Sequence, residues 1–168
     1  MECVFCKIVA KQIPAFVVYE DEKFLAFLDI NPLNPGHTLV VPKQHKRWVI
    51  GVEDFGAYWE VAKKIALAAI KALGAEAVNF LTLGFRIEHA HIHIVPRFKD
   101  DGHPELPELD KRKKMRKEEL REIANRLKHE IGVKSQPKEE QKVVKKEIEK
   151  PKRSKEDVYW IKRELSLG

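Results

Sequence analysis

The stretch His89-Ala90-His91-Ile92-His93-Ile94-Val95-Pro96 constrains this chain more than any other. Three histidines alternate with small or apolar residues. Period two is the mark of a strand, so the imidazoles should share one face while Ala90, Ile92 and Ile94 enter a core on the other. Three imidazoles in a row serve no packing purpose. Two readings are open, a metal site and a nucleophilic site. On a strand the three side chains spread over roughly 13 Å. That is too far for one ion with bonds of about 2 Å, unless the chain bends. Separate jobs for the three are the more natural division. An imidazole nucleophile suits phosphorus, because it is neutral near pH 7 and its phosphoryl adduct is labile.

The 168 residues allow one domain with a sizeable core, plus appendages. The apolar run around Ile65–Leu73 is broken by Lys63, Lys64 and Lys71, so no stretch is long and apolar enough to span a membrane. Met1-Glu2-Cys3 lacks the basic-then-apolar build of a signal peptide, and a soluble, cytoplasmic protein is expected. The net charge of +6 is unevenly placed. Residues 1–109 hold 12 Lys and Arg against 14 Asp and Glu, whereas the remainder holds 20 against 12. Any attraction to polyanions therefore belongs to the basic C-terminal third, where a weak contact through the tail is expected.

Residues 3–13 read as a short helix or turn ending before Pro14. Val17–Glu20 and Phe24–Leu28 read as a hairpin around Asp21-Glu22-Lys23. Asp29–Gly36 is a Pro/Asn/Gly loop, and Thr38–Pro42 a buried strand. Asp54 can cap a helix to Leu73, with Phe55, Tyr58, Ala62, Ile65, Ala66, Ala69 and Leu73 as its apolar face and Gly74 as its stop. Ala77–Leu83 and Arg86–Val95 are the next strands. The expected fold class is α+β, an antiparallel sheet of about five strands with one long helix. A second, charged helix is expected over Leu109–Ile131, with Leu120, Ile123, Leu127 and Ile131 as its stripe. Lys134–Lys155 reads as a flexible linker, and Val158-Tyr159-Trp160-Ile161 as a short apolar cluster. The expected organisation is a domain over 1–106, a helical segment over 107–132 and a basic tail over 133–168.

Cys3 and Cys6 are the two cysteines, spaced C-x-x-C. Two thiolates at that spacing are half of a tetrahedral zinc site, which His45 and His89 can complete. The alternative is a pair of small buried residues. A disulfide framework is not expected, and a redox motif would normally follow a strand.

The chain resembles the histidine-triad (HIT) family, in its Hint-like branch. The family motif His-φ-His-φ-His-φ-φ, with φ apolar, stands here as His89-Ala90-His91-Ile92-His93-Ile94-Val95. Cys3-Val4-Phe5-Cys6-Lys7-Ile8-Val9 with Ile13-Pro14, Ala26–Pro32, and Pro35-Gly36-His37 through Pro42-Lys43-Gln44-His45 agree in order and spacing. The basic tail lies outside the resemblance, which implies the following roles. His91 is the nucleophile, His93 contacts the α-phosphate, and His37 supports the hydrogen-bond network. Asp29 accepts hydrogen bonds from the ribose, although its bland reading is a turn residue. Phe5, Ile8, Ile13, Phe27 and Ile30 wall the base pocket; Phe5, Ile8 and Phe27 are core residues on any reading. Structural zinc sits on Cys3, Cys6, His45 and His89, so His89 is both a triad member and a metal ligand. A homodimer and a purine mononucleotide (AMP-like) substrate or product are implied, with no membrane partner.

The implied activity is nucleotide hydrolysis or transfer at the α-phosphate of adenosine conjugates such as phosphoramidates, through a nucleotidyl-histidine. Diadenosine polyphosphate hydrolysis and weakly catalytic nucleotide binding are the alternatives. One departure bears on this. The family's Gly-rich, Gln-bearing loop before the triplet is shortened here to Leu83-Gly84-Phe85-Arg86-Ile87-Glu88. Arg86 replaces neutral phosphate donors with a charged one, which suits a more anionic substrate. The same change equally reads as a loss of turnover. Arg97 reads as a surface residue at a strand end, and Lys111–Lys114 as a solvated helix face.

Overall fold

A computed structural model describes residues 3–132; the linker and apolar cluster expected beyond that lie outside the described residues. The chain forms α1 (Val4–Val9), β1 (Val17–Glu20), β2 (Phe24–Leu28), β3 (Thr38–Pro42), α2 (Phe55–Leu73), β4 (Ala77–Thr82), β5 (Ile92–Arg97) and α3 (Lys117–Ile131). The five strands make one antiparallel sheet in the order β1-β2-β3-β5-β4. The architecture is α+β, as expected.

Alternation in the strands decides which side of the sheet each residue serves. Phe24, Ala26, Leu28, Val40, Ile92 and Ile94 face the helical side and pack on Tyr58, Ala62, Ile65 and Ala69 of α2. Leu25, Phe27, Leu39 and Val41 face the other side, under Phe5 and Ile8 of α1. The register sets Phe27 opposite Leu39, Leu39 opposite His93, and His93 opposite Leu81. A histidine thus lands in the middle of an otherwise apolar row.

Helix α2 differs from its sequence pattern at two points. Phe55 is exposed, while Val61 and Ala68 are buried in its stead. Asp54 stands at the N-cap but makes no side-chain cap bond, because its carboxylate takes Lys23 Nζ at 2.9 Å. Gly74 ends the helix with φ +75°, a conformation open to glycine at little cost. Helix α3 buries Leu120, Ile123, Ala124 and Leu127 against the same core. Leu120, Ile123 and Leu127 each contribute about 1.5–3 kcal/mol of burial. Lys71 pairs with Glu130 at 3.4 Å, and Arg126 donates to the carbonyl of Ala72, so α2 and α3 are tied at their ends.

Two expected boundaries move. The last strand begins at Ile92, not at Arg86. Pro42 has no N–H to donate to a continued β3–β5 ladder. Ala90 N–H goes instead to the carbonyl of Lys46 at 2.6 Å. The alternation nevertheless persists through this irregular stretch: Ala90 joins the helical core while His89 and His91 lie against Phe5. The second helix begins at Lys117, not Leu109. Residues 107–116 form a strap, because Arg112 N–H and Lys113 N–H bond to the carbonyls of Asp110 and Pro32 at 2.9 and 2.7 Å. The Glu119 carboxylate then takes the Arg116 amide at 2.9 Å, which starts the helix one residue later.

Candidate functional site

On the sheet face opposite α2 and α3, helix α1, the 29–37 loop, β3 and the 89–93 stretch converge. The rings are close-packed: His91 lies 4.9 Å from His93 and 5.3 Å from Phe5, centroid to centroid. All three triad histidines and His37 are at most 5% exposed. Removed from water, each disfavours its charged form unless a partner compensates.

The main chain sets the tautomer of each ring. His91 Nδ1–H donates to the carbonyl of His89 at 2.7 Å, which leaves Nε2 as a free lone pair. Leu33 N–H donates to His37 Nδ1 at 3.1 Å, so His37 carries its proton on Nε2 and donates to His93 Nδ1 at 2.9 Å. His93 is therefore protonated on Nε2, an atom that is buried and has no partner among the described residues. Burial holds His91 below the ordinary imidazole value, with the His89 carbonyl opposing it. Burial takes His37 down to about 4, and His93 to about 2 with the help of His37, His91 and Arg112. Neutral rings are what this chain of donors requires. A lone pair on His91 thus sits beside an unused N–H donor on His93, the pairing that attack on an anionic phosphoryl group demands.

Cys3, Cys6, His45 and His89 come together behind the triad, with one ligand atom from each lying within 4.8 Å of the others. His89 Nε2–H donates to the carbonyl of Pro42 at 2.8 Å, so its Nδ1 lone pair faces Cys3 Sγ at 3.3 Å and Cys6 Sγ at 3.5 Å. His45 Nδ1 lies 3.2 Å from Cys6 Sγ. Tetrahedral zinc with bonds of ~2.1 and ~2.3 Å places N and S ligands about 3.5 Å apart, so the set fits such an ion with a small expansion. The Pro42 carbonyl is the outer partner that orients a metal-binding histidine. Burial, and then the neighbouring Cys3, push the Cys6 thiol up. Asp29, His37 and His93 also cluster, but there His37 has both ring nitrogens committed and Arg112 brings a cation, so a hydrogen-bond relay describes them better than a metal set.

Asp29 follows β2. Its Oδ1 accepts Asn31 N–H at 2.9 Å and its Oδ2 lies 3.9 Å from His37 Nδ1. It is an Asx-type turn residue, as the bland reading has it, yet it also stands at the triad's edge. Phe5 and Phe27 meet edge to face at 5.7 Å on this side, with Ile8 beside them. Ile13 is half-buried and Ile30 is 62% exposed. Arg86 is exposed and has no ion-pair partner among the described residues. Its neighbour Phe85 is 98% exposed, while Gly84 lies flat under the Trp48 ring, where a Cβ would collide. A hollow of about 620 Å³ lined by Tyr19, Lys64, Leu67 and Glu130 lies on the helical side of the sheet and takes no part in this chemistry.

Sequence reasoning missed the groups that brace the site from outside the motif. Arg97 is not a loose surface residue. Its guanidinium bonds Asp101 at 2.7 and 3.1 Å, Asn79 Oδ1, and the carbonyls of His103, Pro104 and Glu105. Asp101 also takes Asn34 Nδ2 at 2.7 Å, so the end of β5, the 29–37 loop and the strap share one network. Arg97 holds the Asp101 carboxyl well below the usual carboxylate range. Arg112 reaches Asp29 Oδ2 at 2.8 Å across 83 positions of sequence. No local pattern signals such a pair.

The comparisons with known proteins agree with this geometry. The HIT domain pattern matches residues 10–100. An uncharacterized HIT-like protein of Methanocaldococcus jannaschii is 45% identical over 106 residues, 60% of this chain and 82% of its own. The adenosine 5′-monophosphoramidase hnt1 of Schizosaccharomyces pombe is 39% identical over 58% of this chain and 75% of its own. The adenylylsulfatase HINT3 of Arabidopsis thaliana is 37% identical over 60% and 54%. Among solved structures, a histidine triad nucleotide-binding protein of Sulfolobus tokodaii superposes with a TM-score of 0.67 at 31% identity, covering 77% of this chain and 92% of the other. A Zn-bound histidine triad protein of Mycobacterium smegmatis gives 0.64 at 33%, covering 79% and 94%. Motif, sheet and matched sequence coincide over the same residues, and the chain belongs to the HIT family.

Proposed function

We propose that the chain is a nucleotide hydrolase or transferase acting on the α-phosphate of adenosine conjugates, phosphoramidates first among them. The observation that carries this reading is the pair of fixed tautomers, a His91 Nε2 lone pair beside an unpartnered His93 Nε2–H. His91 Nε2 attacks phosphorus and the bond to the leaving group breaks, giving a nucleotidyl-His91. His93 Nε2–H donates to a phosphate oxygen as charge builds there. Water then attacks the same phosphorus, the P–N bond to His91 breaks, and AMP leaves. With adenosine 5′-phosphoramidate the nitrogen takes up a proton from solvent as its bond to phosphorus breaks and leaves as ammonia, and the water that attacks in the second step returns a proton to solvent. Asp29 takes the ribose hydroxyls, Phe5, Ile8, Ile13, Phe27 and Ile30 wall the base, and Arg86 approaches the leaving-group side. Relatives named adenosine 5′-monophosphoramidase and adenylylsulfatase support adenylyl conjugates as the class while differing in leaving group.

Cys3, Cys6, His45 and His89 hold structural zinc in this reading, and the ion would fix the strand entry one step from His91. A second copy of the chain covers the exposed apolar residues Phe80 and Leu83 at the β4 edge and Leu67 and Ile70 of α2. The departure at Phe85-Arg86 favours a second reading, nucleotide binding with little turnover.

The test is incubation with adenosine 5′-phosphoramidate and related adenylyl and guanylyl conjugates. A nucleotidyl adduct seen by mass spectrometry, with AMP released, is expected from wild type and not from His91→Ala. Turnover retained in His91→Ala overturns the nucleophile. AMP binding without turnover in wild type selects the second reading.

A further inference from the structure

The strap between β5 and α3 reaches the nucleotide end of the site through Arg112. Its Nη1 donates to Asp29 Oδ2 at 2.8 Å and to the carbonyl of Asn31 at 3.0 Å. Asn31 N–H meets the other carboxylate oxygen, Oδ1, at 2.9 Å. The Asp29 carboxylate is thus gripped from both ends, and its side chain is only 12% exposed. The grip is anchored in turn. Lys113 N–H donates to the carbonyl of Pro32 at 2.7 Å, and Lys113 Nζ to Asn34 Oδ1 at 2.8 Å. Arg97 holds the loop that leads into the strap, through Asp101 and the carbonyls of His103, Pro104 and Glu105.

We propose that Arg112 is a positioning residue, which orients and charge-balances the Asp29 carboxylate so that it accepts the hydroxyls of a nucleotide's ribose. The inference rests on the nucleotide reading given above. An ionised carboxylate has about four acceptor positions. Asn31 and Arg112 use one on each oxygen, which leaves one on each for the two donors of a ribose diol. A buried carboxylate without a cation is costly, and Arg112 supplies that cation before the ligand arrives. An ion pair at a protein surface usually contributes almost nothing. This one differs because the guanidinium also takes a main-chain acceptor and the backbone beside it is fixed.

Calorimetric titration of the full chain with AMP and with 2′,3′-dideoxy-AMP separates this role from a general one. Arg112→Ala should bind AMP on the order of tenfold more weakly, the loss of one charge-assisted hydrogen bond. It should bind the dideoxy ligand within about twofold of wild type, since no hydroxyl is there to be positioned. Arg112→Lys keeps the charge without the fork and should recover part of the AMP affinity. An equal loss for both ligands makes the strap merely structural and overturns the inference. So does unchanged or tighter AMP binding in Arg112→Ala, the latter because Arg112 would then be blocking the diol. A wild-type chain that binds neither ligand overturns the nucleotide reading itself, and this inference with it. Should Arg112→Ala fail to fold, Arg112→Gln and Arg112→Lys carry the same comparison.

Discussion

At the histidine end, orientation comes from the main chain near by: the His89 carbonyl for His91, the Leu33 amide for His37, the Pro42 carbonyl for His89. In and around the strap, orientation comes from long side chains: Arg97 to Asp101, Lys113 to Asn34, Arg112 to Asp29. The first arrangement is stiff, since backbone groups lose little on being fixed once strands have formed. The second depends on ion pairs that tolerate drift and respond to charge. The reaction proposed above needs the stiffness of the first region, and the ligand positioning proposed for Arg112 draws on the second.

The largest expected effect is on the histidine end. His91→Ala should lower turnover of an adenylyl substrate by at least about 10³-fold, while AMP affinity changes little. A comparable fall in affinity would show that the two regions are not separable. Zinc removal comes next. Cys6→Ser should release stoichiometric metal, read by elemental analysis, and lower the melting temperature. Wild-type protein that carries no metal removes zinc from this account.

Arg97→Ala should destabilise the fold by about 3 kcal/mol in denaturant, because Asp101, whose side chain is 4% exposed, loses its cation. A loss below about 1 kcal/mol would demote the strap network to an ordinary surface pair.

Acid should divide the regions again. His37 has a pKa near 4 in the fold, set by burial first, against an ordinary 6.5 in the unfolded chain. The unfolded chain thus takes up this proton earlier. The stability that His37 contributes is complete above about 6.5 and is lost as pH falls towards 4, in total roughly 3 kcal/mol. The Asp101 carboxyl, lowered by Arg97, keeps its contribution until pH falls below the ordinary carboxylate value. Protection factors, corrected for the intrinsic pH dependence of amide exchange, should therefore fall around His37 and β3 between pH 7 and 5 before they fall around Arg97. The opposite order would contradict the assigned environments. The smallest effect is at Asp54, where the expected cap is absent. Asp54→Ala should leave the denaturation midpoint nearly unchanged, because its solvent-exposed pair with Lys23 is screened and the ~1 kcal/mol of a working cap is absent.

Local pattern carried most of the site. The alternation at His89–Val95, the C-x-x-C and the Asp29–His37 loop are short-range features, and the sheet brought them together as their spacing implied. Helix ends and strand starts were legible to the extent that they depend on neighbours, as at Gly74. They failed where a distant group competed. Lys23 takes Asp54 away from its cap, and Pro42 ends the ladder that would have made His89 and His91 part of β5.

What the sequence by itself determined is which histidines and cysteines stand together and in what order, because a period of two and a spacing of three are properties of consecutive residues. What only the tertiary structure decided is the protonated nitrogen on each ring and the partner of Asp29. Both follow from which carbonyl or cation lies within hydrogen-bond reach in space. The run Lys111-Arg112-Lys113-Lys114 looks the same on paper whether it bathes in water or grips a loop. Packing of α3 against the sheet draws the strap across that loop, and two members of the run become fixed there.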